Sequence, residues 1–338
     1  MHDSSKPKHI YVYSPSGAVR DKAAFRRGIA RLQWLGHEVE VDEAALASHL
    51  RFAGDDDTRL AAIHRAAASG ADIALITRGG YGLTRILERI DYKAVAKAIE
   101  KGTQFVGISD FTAFQCAVLA KTGQVTWAGP ALCEGFGVGG KPKLKDGHAC
   151  VAPKVPDDIM EACFDDLITG QGEGTGWRQH RESPKSAIVS IASSSDSTGA
   201  RTEFSIHDAV LWGGNLTVLT ALIGTPYFPN IKGGILFLED VGEHPYRIER
   251  MLTQLLNSGV LQQQKAIVLG QFTEFKLVPH DRGYKLQSVV DWLRQSIQHP
   301  VLTNLPYGHV ATKVLLPMGA KIDLAVEGRE VMMVWGHL

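Results

Sequence analysis

Four short strand-like runs that alternate with helical patterns limit what the first 130 residues can form. "HIYVYS" (9–14), "HEVEVDE" (37–43), "ADIALITRGG" (71–80) and "QFVGISD" (104–110) read as strands. Between them lie "DKAAFRRGIARLQWLG" (21–36) and "DDDTRLAAIHRAAASG" (55–70). In the first, Phe25, Ile29, Leu32 and Leu35 recur at helical spacing and Gly36 suits the C-terminal turn. In the second, the aspartates sit at the positive end and Gly70 closes the helix. "YGLTRILERI" (81–90) reads as a third helix start and "FTAFQCAVLAKTG" (111–123) as a fourth helix.

Strands that alternate with helices at such short spacing predict an α/β domain with a parallel sheet covered on both faces. Ligands of such sheets sit beyond the C-terminal strand ends. The turns "SPSGAV", "TRGGYG" and "GISDFT" all fall there, so three separate stretches are expected to converge on one edge.

A chain of 338 residues exceeds one ordinary core and predicts two domains. Residues 1–150 form the first, with a Gly- and Lys-rich, linker-like stretch at 131–150. Residues 151–204 read as a linker or insertion, with "SSSDSTGA" as an exposed turn. Residues 205–338 form a second, strand-rich mixed α/β domain, in which "RIERMLTQLLNSG" is an amphipathic helix.

The 36 basic and 36 acidic residues cancel, so bulk charge draws the chain to no polyanion and no nucleic-acid partner is expected. Cys116, Cys133, Cys150 and Cys163 form no C-x-x-C pair and have no zinc spacing; they read as reduced thiols. The N-terminal stretch has no apolar run of signal-peptide length, and no stretch approaches membrane-spanning length. The expectation is a cytoplasmic protein with no membrane partner.

Ser109 follows a strand and precedes a helix, the setting of a nucleophile elbow. Gly107 fits the G-x-S pattern, whereas Phe111 stands where a second glycine would be. The competing reading makes Ser109 or Asp110 an ordinary helix cap. "RGGYG" (78–82) reads either as a backbone donor loop for an oxyanion or carboxylate or as a tight turn. Glu239, at the end of the apolar strand "ILFLED", would orient a histidine or simply meet solvent; Asp240 and Glu243 are nearby substitutes. His309 alone carries little weight. The order Ser109, Glu239, His309 is nevertheless that of a known triad type, in which a base activates the serine and an acid fixes the base's tautomer.

The motifs "YSPSG", "RGGYGLTRIL", "VGISDFTAF", "WGGNL", "ILFLEDVGEHPYRIERML" and "YGHVATKVLLPMG" run through nearly the whole chain in one order. With them the chain resembles the LD-carboxypeptidase family of serine peptidases, which includes muramoyltetrapeptide carboxypeptidase. The resemblance implies a flavodoxin-like or amidotransferase-like first domain, a mixed α/β second domain and a triad split between them. Ser109 would be the nucleophile, Glu239 the orienting acid and His309 the base. The N–H groups of Asp110 and of Gly79 or Gly80 would hold the oxyanion.

The implied reaction releases terminal D-Ala from murein tetrapeptide in cell-wall recycling, with no metal or organic cofactor. Arg78, Tyr81, Asn215 and Arg247 are the implied substrate contacts. Arg78, Arg85 and Arg247 compete with glycine N–H groups for the terminal carboxylate. The microcin-immunity hydrolases form a related branch acting on peptidyl-nucleotides, for which Trp177 is the candidate aromatic platform. The stretch 171–204 departs from the shortest family members and would shape the cleft. Homodimerisation is left open, and a non-enzymatic binding protein on the same scaffold is the remaining reading.

Overall fold

A computed structural model describes residues 7–139, 143–145, 149–151, 155–180 and 203–337. Its first sheet starts with five parallel strands: β1 (His9–Tyr13), β2 (Glu38–Val41), β3 (Ile73–Ile76), β4 (Gln104–Gly107) and β5 (Thr126–Ala128). They lie in the order 2-1-3-4-5, which is the flavodoxin-like order. All four residues of β3 are buried, as a central parallel strand covered on both faces requires. The connecting helices are α1 (Lys22–Trp34), α2 (Asp56–Ala68), α3 (Tyr92–Glu100) and α4 (Thr112–Thr122). Asp21, Asp55 and Asp91 cap the first three through their side chains, each contributing about 1 kcal/mol.

The helix expected to start at residue 81 begins instead at Tyr92. Two short 3₁₀ turns, Leu83–Arg85 and Leu87–Arg89, occupy the interval. The reason is local. The Leu83 N–H is bonded to Asp110, and the Gly82 carbonyl accepts from Arg59, so this backbone is tied across the chain rather than into a helix. The linker expected at 131–150 likewise starts as a buried π-helical turn, Leu132–Phe136, packed on α1.

After a two-stranded pair, β6 (Lys143–Lys145) and β7 (Ala149–Val151), α5 (Asp158–Thr169) returns to the first sheet. It buries Met160, Phe164, Leu167 and Ile168 in the core shared with Ile10, Val12 and Leu75. The polar stretch that follows contains β8 (Gly174–Arg178), an edge strand of the second sheet. The "SSSDSTGA" turn lies outside the described residues.

The remaining elements are β9 (Glu203–Asn215), α6 (Leu216–Ala221), β10 (Ile235–Val241), α7 (Pro245–Asn257) and β11 (Ala266–Thr273). They are followed by α8 (Leu286–Ser296), β12 (Val301–Leu302), β13 (Leu316–Met318), β14 (Lys321–Glu327) and β15 (Glu330–Val334). The second sheet runs β12-β11-β10-β9-β14-β15-β8 and is mixed. Strands β9 to β12 pair in parallel. The rest is antiparallel, and β14 alternates strictly between buried and exposed residues. On α7, Ile248, Met251, Leu252 and Leu255 are buried at helical spacing, worth about 1.5–3 kcal/mol each.

Two features join the halves. Strand β13 leaves the second half of the sequence and pairs antiparallel with β5 at the edge of the first sheet. One apolar core also runs between the sheets, with Phe111 and Phe114 in the same cluster as Trp212, Leu216 and Leu219. Among the described residues, no helix is long and apolar enough to cross a membrane.

Candidate active site

The turns after β1, β3 and β4 meet at Ser109. In the first sheet the strand order reverses between β1 and β3, which opens a crevice at their C-terminal ends. Gly17 N–H donates to the Gly79 carbonyl (3.2 Å), Ser16 Oγ to Asp110 Oδ2 (2.5 Å) and Leu83 N–H to the same oxygen (3.0 Å). The convergence expected from the sequence is therefore built from hydrogen bonds.

Ser109 has φ 67°, a left-handed conformation that a non-glycine residue holds only at a cost of about 1–3 kcal/mol. Its side chain caps neither the 3₁₀ turn it begins nor α4, and Asp110 caps neither as well. The helix-cap reading is thus corrected: the serine is held in a strained turn with its hydroxyl unused by the helix. Gly79 lies directly against it. A Cβ there would come within 2.6 Å of Ser109 Oγ, so only glycine lets the "RGGYG" backbone approach so closely.

Glu239 is fully buried on β10, two residues before its end, and its Oε2 stands 2.8 Å from His309 Nδ1. The register between β10 and β11 shifts here, between Leu238 and Asp240, an irregularity of the kind that re-aims a side chain. Gly308, with φ 136°, lets the histidine loop close over the carboxylate; a Cβ there would lie 3.2 Å from Glu239 Oε2. Burial by itself would push the imidazole down. The hydrogen bond and charge of Glu239, helped by Glu134, outweigh it and hold His309 above its ordinary value. Because Nδ1 is engaged, Nε2 is the nitrogen left to exchange a proton.

Of the substitutes for the acid, Asp240 is engaged by other partners. It accepts from Thr217 N–H (2.9 Å), Thr217 Oγ1 (2.7 Å) and Asn215 Nδ2 (2.9 Å). Glu243 pairs with Arg247 at 3.6 Å. Only Glu239 of the three meets the histidine.

Asn215, expected at the substrate, stands beside Glu239. It is 5% exposed, caps α6 through Oδ1, and donates from Nδ2 to Glu239 Oε1 (3.2 Å) and Asp240 Oδ1. Its backbone N–H also bonds Thr112 Oγ1 (3.0 Å), three residues after Ser109. Asn215 therefore joins the helix that follows Ser109 to Glu239. Trp177 is placed differently from the adenine platform considered above. It is 7% exposed and its indole N–H donates to the Thr303 carbonyl (3.0 Å), so no free face is offered.

The three candidate arginines separate clearly. Arg85 is exposed and forms a two-oxygen contact with Asp56 (3.0–3.2 Å). Arg247 is exposed beside Glu243 and the Tyr246 hydroxyl. Arg78 alone adjoins Gly79. It lies over the 17–18 turn, with its nearest carboxylate, Glu134 Oε1, at 3.7 Å from Nε. Tyr81 is 47% exposed on the rim, flanked by Phe52 and Arg51. Gly80, at φ 126°, faces Gly17. His64 accepts from the Asp91 N–H, away from these turns.

Two charged residues went unnoticed in the sequence. Glu134 stands on the buried π-helical turn and acts on His309 from the first domain. Lys313, 3% exposed, lies where Glu134, Glu239 and Asp157 all act on it, and burial pushes its amine down. The available signal was one cation just ahead of the apolar run Val314–Leu316, which is buried throughout.

Residues 10–129 match the LD-carboxypeptidase N-terminal domain, and residues 208–324 match the LD-carboxypeptidase C-terminal domain. The "Probable murein peptide carboxypeptidase" of Bacillus subtilis is 30% identical over 300 residues, 86% of this chain and 80% of that protein. The microcin C7 self-immunity protein of Escherichia coli is 26% identical over 265 residues, 78% of this chain and 73% of its own. A crystal structure of muramoyltetrapeptide carboxypeptidase from Oxalobacter formigenes superposes with a TM-score of 0.78 at 36% identity, covering 97% of this chain and 98% of that one.

Proposed function

We propose that this chain, which belongs to the LD-carboxypeptidase family and is a carboxypeptidase, works by a serine mechanism on murein tetrapeptide. The bond cleaved joins the L-centre of the diamino acid to terminal D-Ala, a step of cell-wall recycling in the cytoplasm. The observation that carries the reading is the Glu239–His309 pair at 2.8 Å, joined through Asn215 and Thr112 to the helix that follows the strained Ser109 turn.

Ser109 Oγ attacks the carbonyl carbon while His309 Nε2 takes its proton. Glu239 holds Nδ1–H and balances the imidazolium. The Asp110 N–H, at the start of the helical turn, and a glycine N–H of the "RGGYG" turn receive the oxyanion. The imidazolium then protonates the departing amine of D-Ala. Water, activated by the same histidine, releases the peptide from Ser109. Arg78 is the cation assigned to the terminal carboxylate, because of the three arginines it alone adjoins the glycine turn packed on Ser109.

Release of D-Ala from murein tetrapeptide by the purified protein, lost in Ser109→Ala, tests the reading. Peptidyl-adenylate hydrolysis without tetrapeptide hydrolysis would transfer it to the activity of the microcin-immunity branch. Binding of the tetrapeptide without turnover would make the chain a binding protein.

A further inference from the structure

We propose that the Asp110 carboxylate, as distinct from its backbone N–H, is a positioning residue that fixes the turn of Ser109 against the two turns completing the oxyanion site. The inference rests on Ser109 being the nucleophile. Asp110 is 1% exposed, and a buried carboxylate is costly unless its oxygens are bonded. An aspartate in the first helical turn ordinarily caps that helix. This one does not. Its bonds instead go to residues 94 and 27 positions away, from Ser16 Oγ and from Leu83 N–H.

These bonds complete a triangle. The turn after β1 is tied to the turn after β3 by Gly17 N–H to the Gly79 carbonyl. The turn after β1 is tied to the turn after β4 through Ser16, and the turn after β3 to the turn after β4 through Leu83. Two of the three sides end on one oxygen, Asp110 Oδ2. Arg59, fully buried, braces the same region by donating to the Gly82 carbonyl (2.8 Å). Arg59 and Arg51 also lie close enough to favour the ionised carboxylate, against a burial that pushes its carboxyl up.

Removing the carboxylate opens both sides and leaves Gly17–Gly79 as the one remaining side of the triangle. The strained Ser109 backbone is then free to relax, moving both the hydroxyl and the N–H of Asp110. Misplacement of about 1 Å costs roughly 10²-fold in rate, and loss of one oxyanion donor about 10²–10³-fold.

The test measures D-Ala release from murein tetrapeptide and the melting temperature for Asp110→Ala, Asp110→Asn, Ser16→Ala and the Ser16→Ala/Asp110→Ala double variant. Expected for Asp110→Ala is a fall in kcat of about 10²-fold with KM within about threefold. Asp110→Asn keeps an acceptor oxygen and recovers most of that loss. Ser16→Ala falls about tenfold, and the double variant falls no further than Asp110→Ala, because the serine acts through the carboxylate.

A folded Asp110→Ala with kcat near the parent's, or losses that multiply in the double variant, would overturn the inference. Should Asp110→Ala fail to fold, Ser16→Ala decides: an unchanged kcat overturns it and a lowered kcat at constant KM supports it. Ser109→Ala in the same assay separates the two levels. If it retains activity, the nucleophile reading falls; if it is inactive while Asp110→Ala is normal, only the role of the carboxylate falls.

Discussion

Replacing Glu239 by glutamine keeps the shape of the side chain and removes one acceptor, and the surroundings dictate the outcome. The two carboxylate oxygens face two donors: His309 Nδ1–H at 2.8 Å and Asn215 Nδ2–H at 3.2 Å. An amide cannot accept at both ends. If its NH₂ faces Asn215, two buried donors oppose each other, at about 1–3 kcal/mol for each one left unsatisfied. If its NH₂ faces His309, Nδ1 must become the acceptor and the proton moves to Nε2, the nitrogen needed to deprotonate Ser109. Either arrangement also loses the charge that balances the imidazolium.

At roughly 4 Å and an effective dielectric constant of about 20, that charge is worth about 4 kcal/mol, or about three decades in rate. Little solvent screening reduces it, since Glu239 is fully buried and the His309 side chain is 17% exposed. A fall of about 10³-fold or more in kcat is therefore expected, with KM for murein tetrapeptide nearly unchanged.

The pH profile gives a second, independent reading. His309 must be neutral to act as base, so kcat/KM falls as pH drops through its raised pKa. Glu239→Gln removes the main cause of the rise and leaves the burial that lowers it, so the acid limb should move below the ordinary value of about 6.5. Stability runs in the opposite sense. A raised imidazole contributes stability that is full below the unfolded pKa and is lost as pH rises through the folded one, so the parent's advantage over the variant should shrink as pH rises through the raised His309 pKa, down to the pH-independent cost of the unsatisfied donors. A variant with kcat within tenfold of the parent and an unmoved acid limb would refute the assignment of Glu239.

Ser109→Ala should abolish D-Ala release with little change in melting temperature, since its hydroxyl caps no helix; Ser109→Gly should be equally inactive yet more stable by about 1 kcal/mol, because glycine holds positive φ without strain. Retained turnover in either variant would remove the nucleophile. A C-terminally amidated tetrapeptide should be cleaved poorly, and Arg78→Gln should erase much of the difference between acid and amide. Equal rates on both peptides in the parent would exclude recognition of the chain end. A fragment of residues 1–150 should be inactive and prone to aggregate, because it lacks His309 and leaves β5 without its partner β13. A soluble fragment that releases D-Ala would overturn the split site.

The local pattern of this sequence carries much of its architecture. Apolar runs of four to six residues, such as "IALI", cannot form a helix long enough to stand among the longer amphipathic stretches, and Asp21, Asp55 and Asp91 mark where helices begin. These signals are short-range, so they survive without knowledge of the fold. They placed Ser109 at a strand-to-helix turn and Glu239 at a strand end. Side-chain roles could not be read in the same way. Nothing local to Asn215 announces that its amide donates to both Glu239 and Asp240. Asp110 looks like a cap, yet its carboxylate binds Ser16 and Leu83.

What the sequence by itself determined was the alternation of the first four strands with helices, apart from the start of the third helix, and the small set of residue types able to activate a hydroxyl. The family resemblance pointed to Glu239 rather than Asp240 or Glu243, and only the tertiary structure brings its carboxylate to the histidine. The tertiary structure alone also showed that Leu316–Met318 returns to the first sheet and that one buried carboxylate ties three turns together. The physical reason is range. A hydrogen bond between residues 70 or 94 positions apart depends on strand order, register and the approach of backbones at glycines, and no local preference of either partner encodes it.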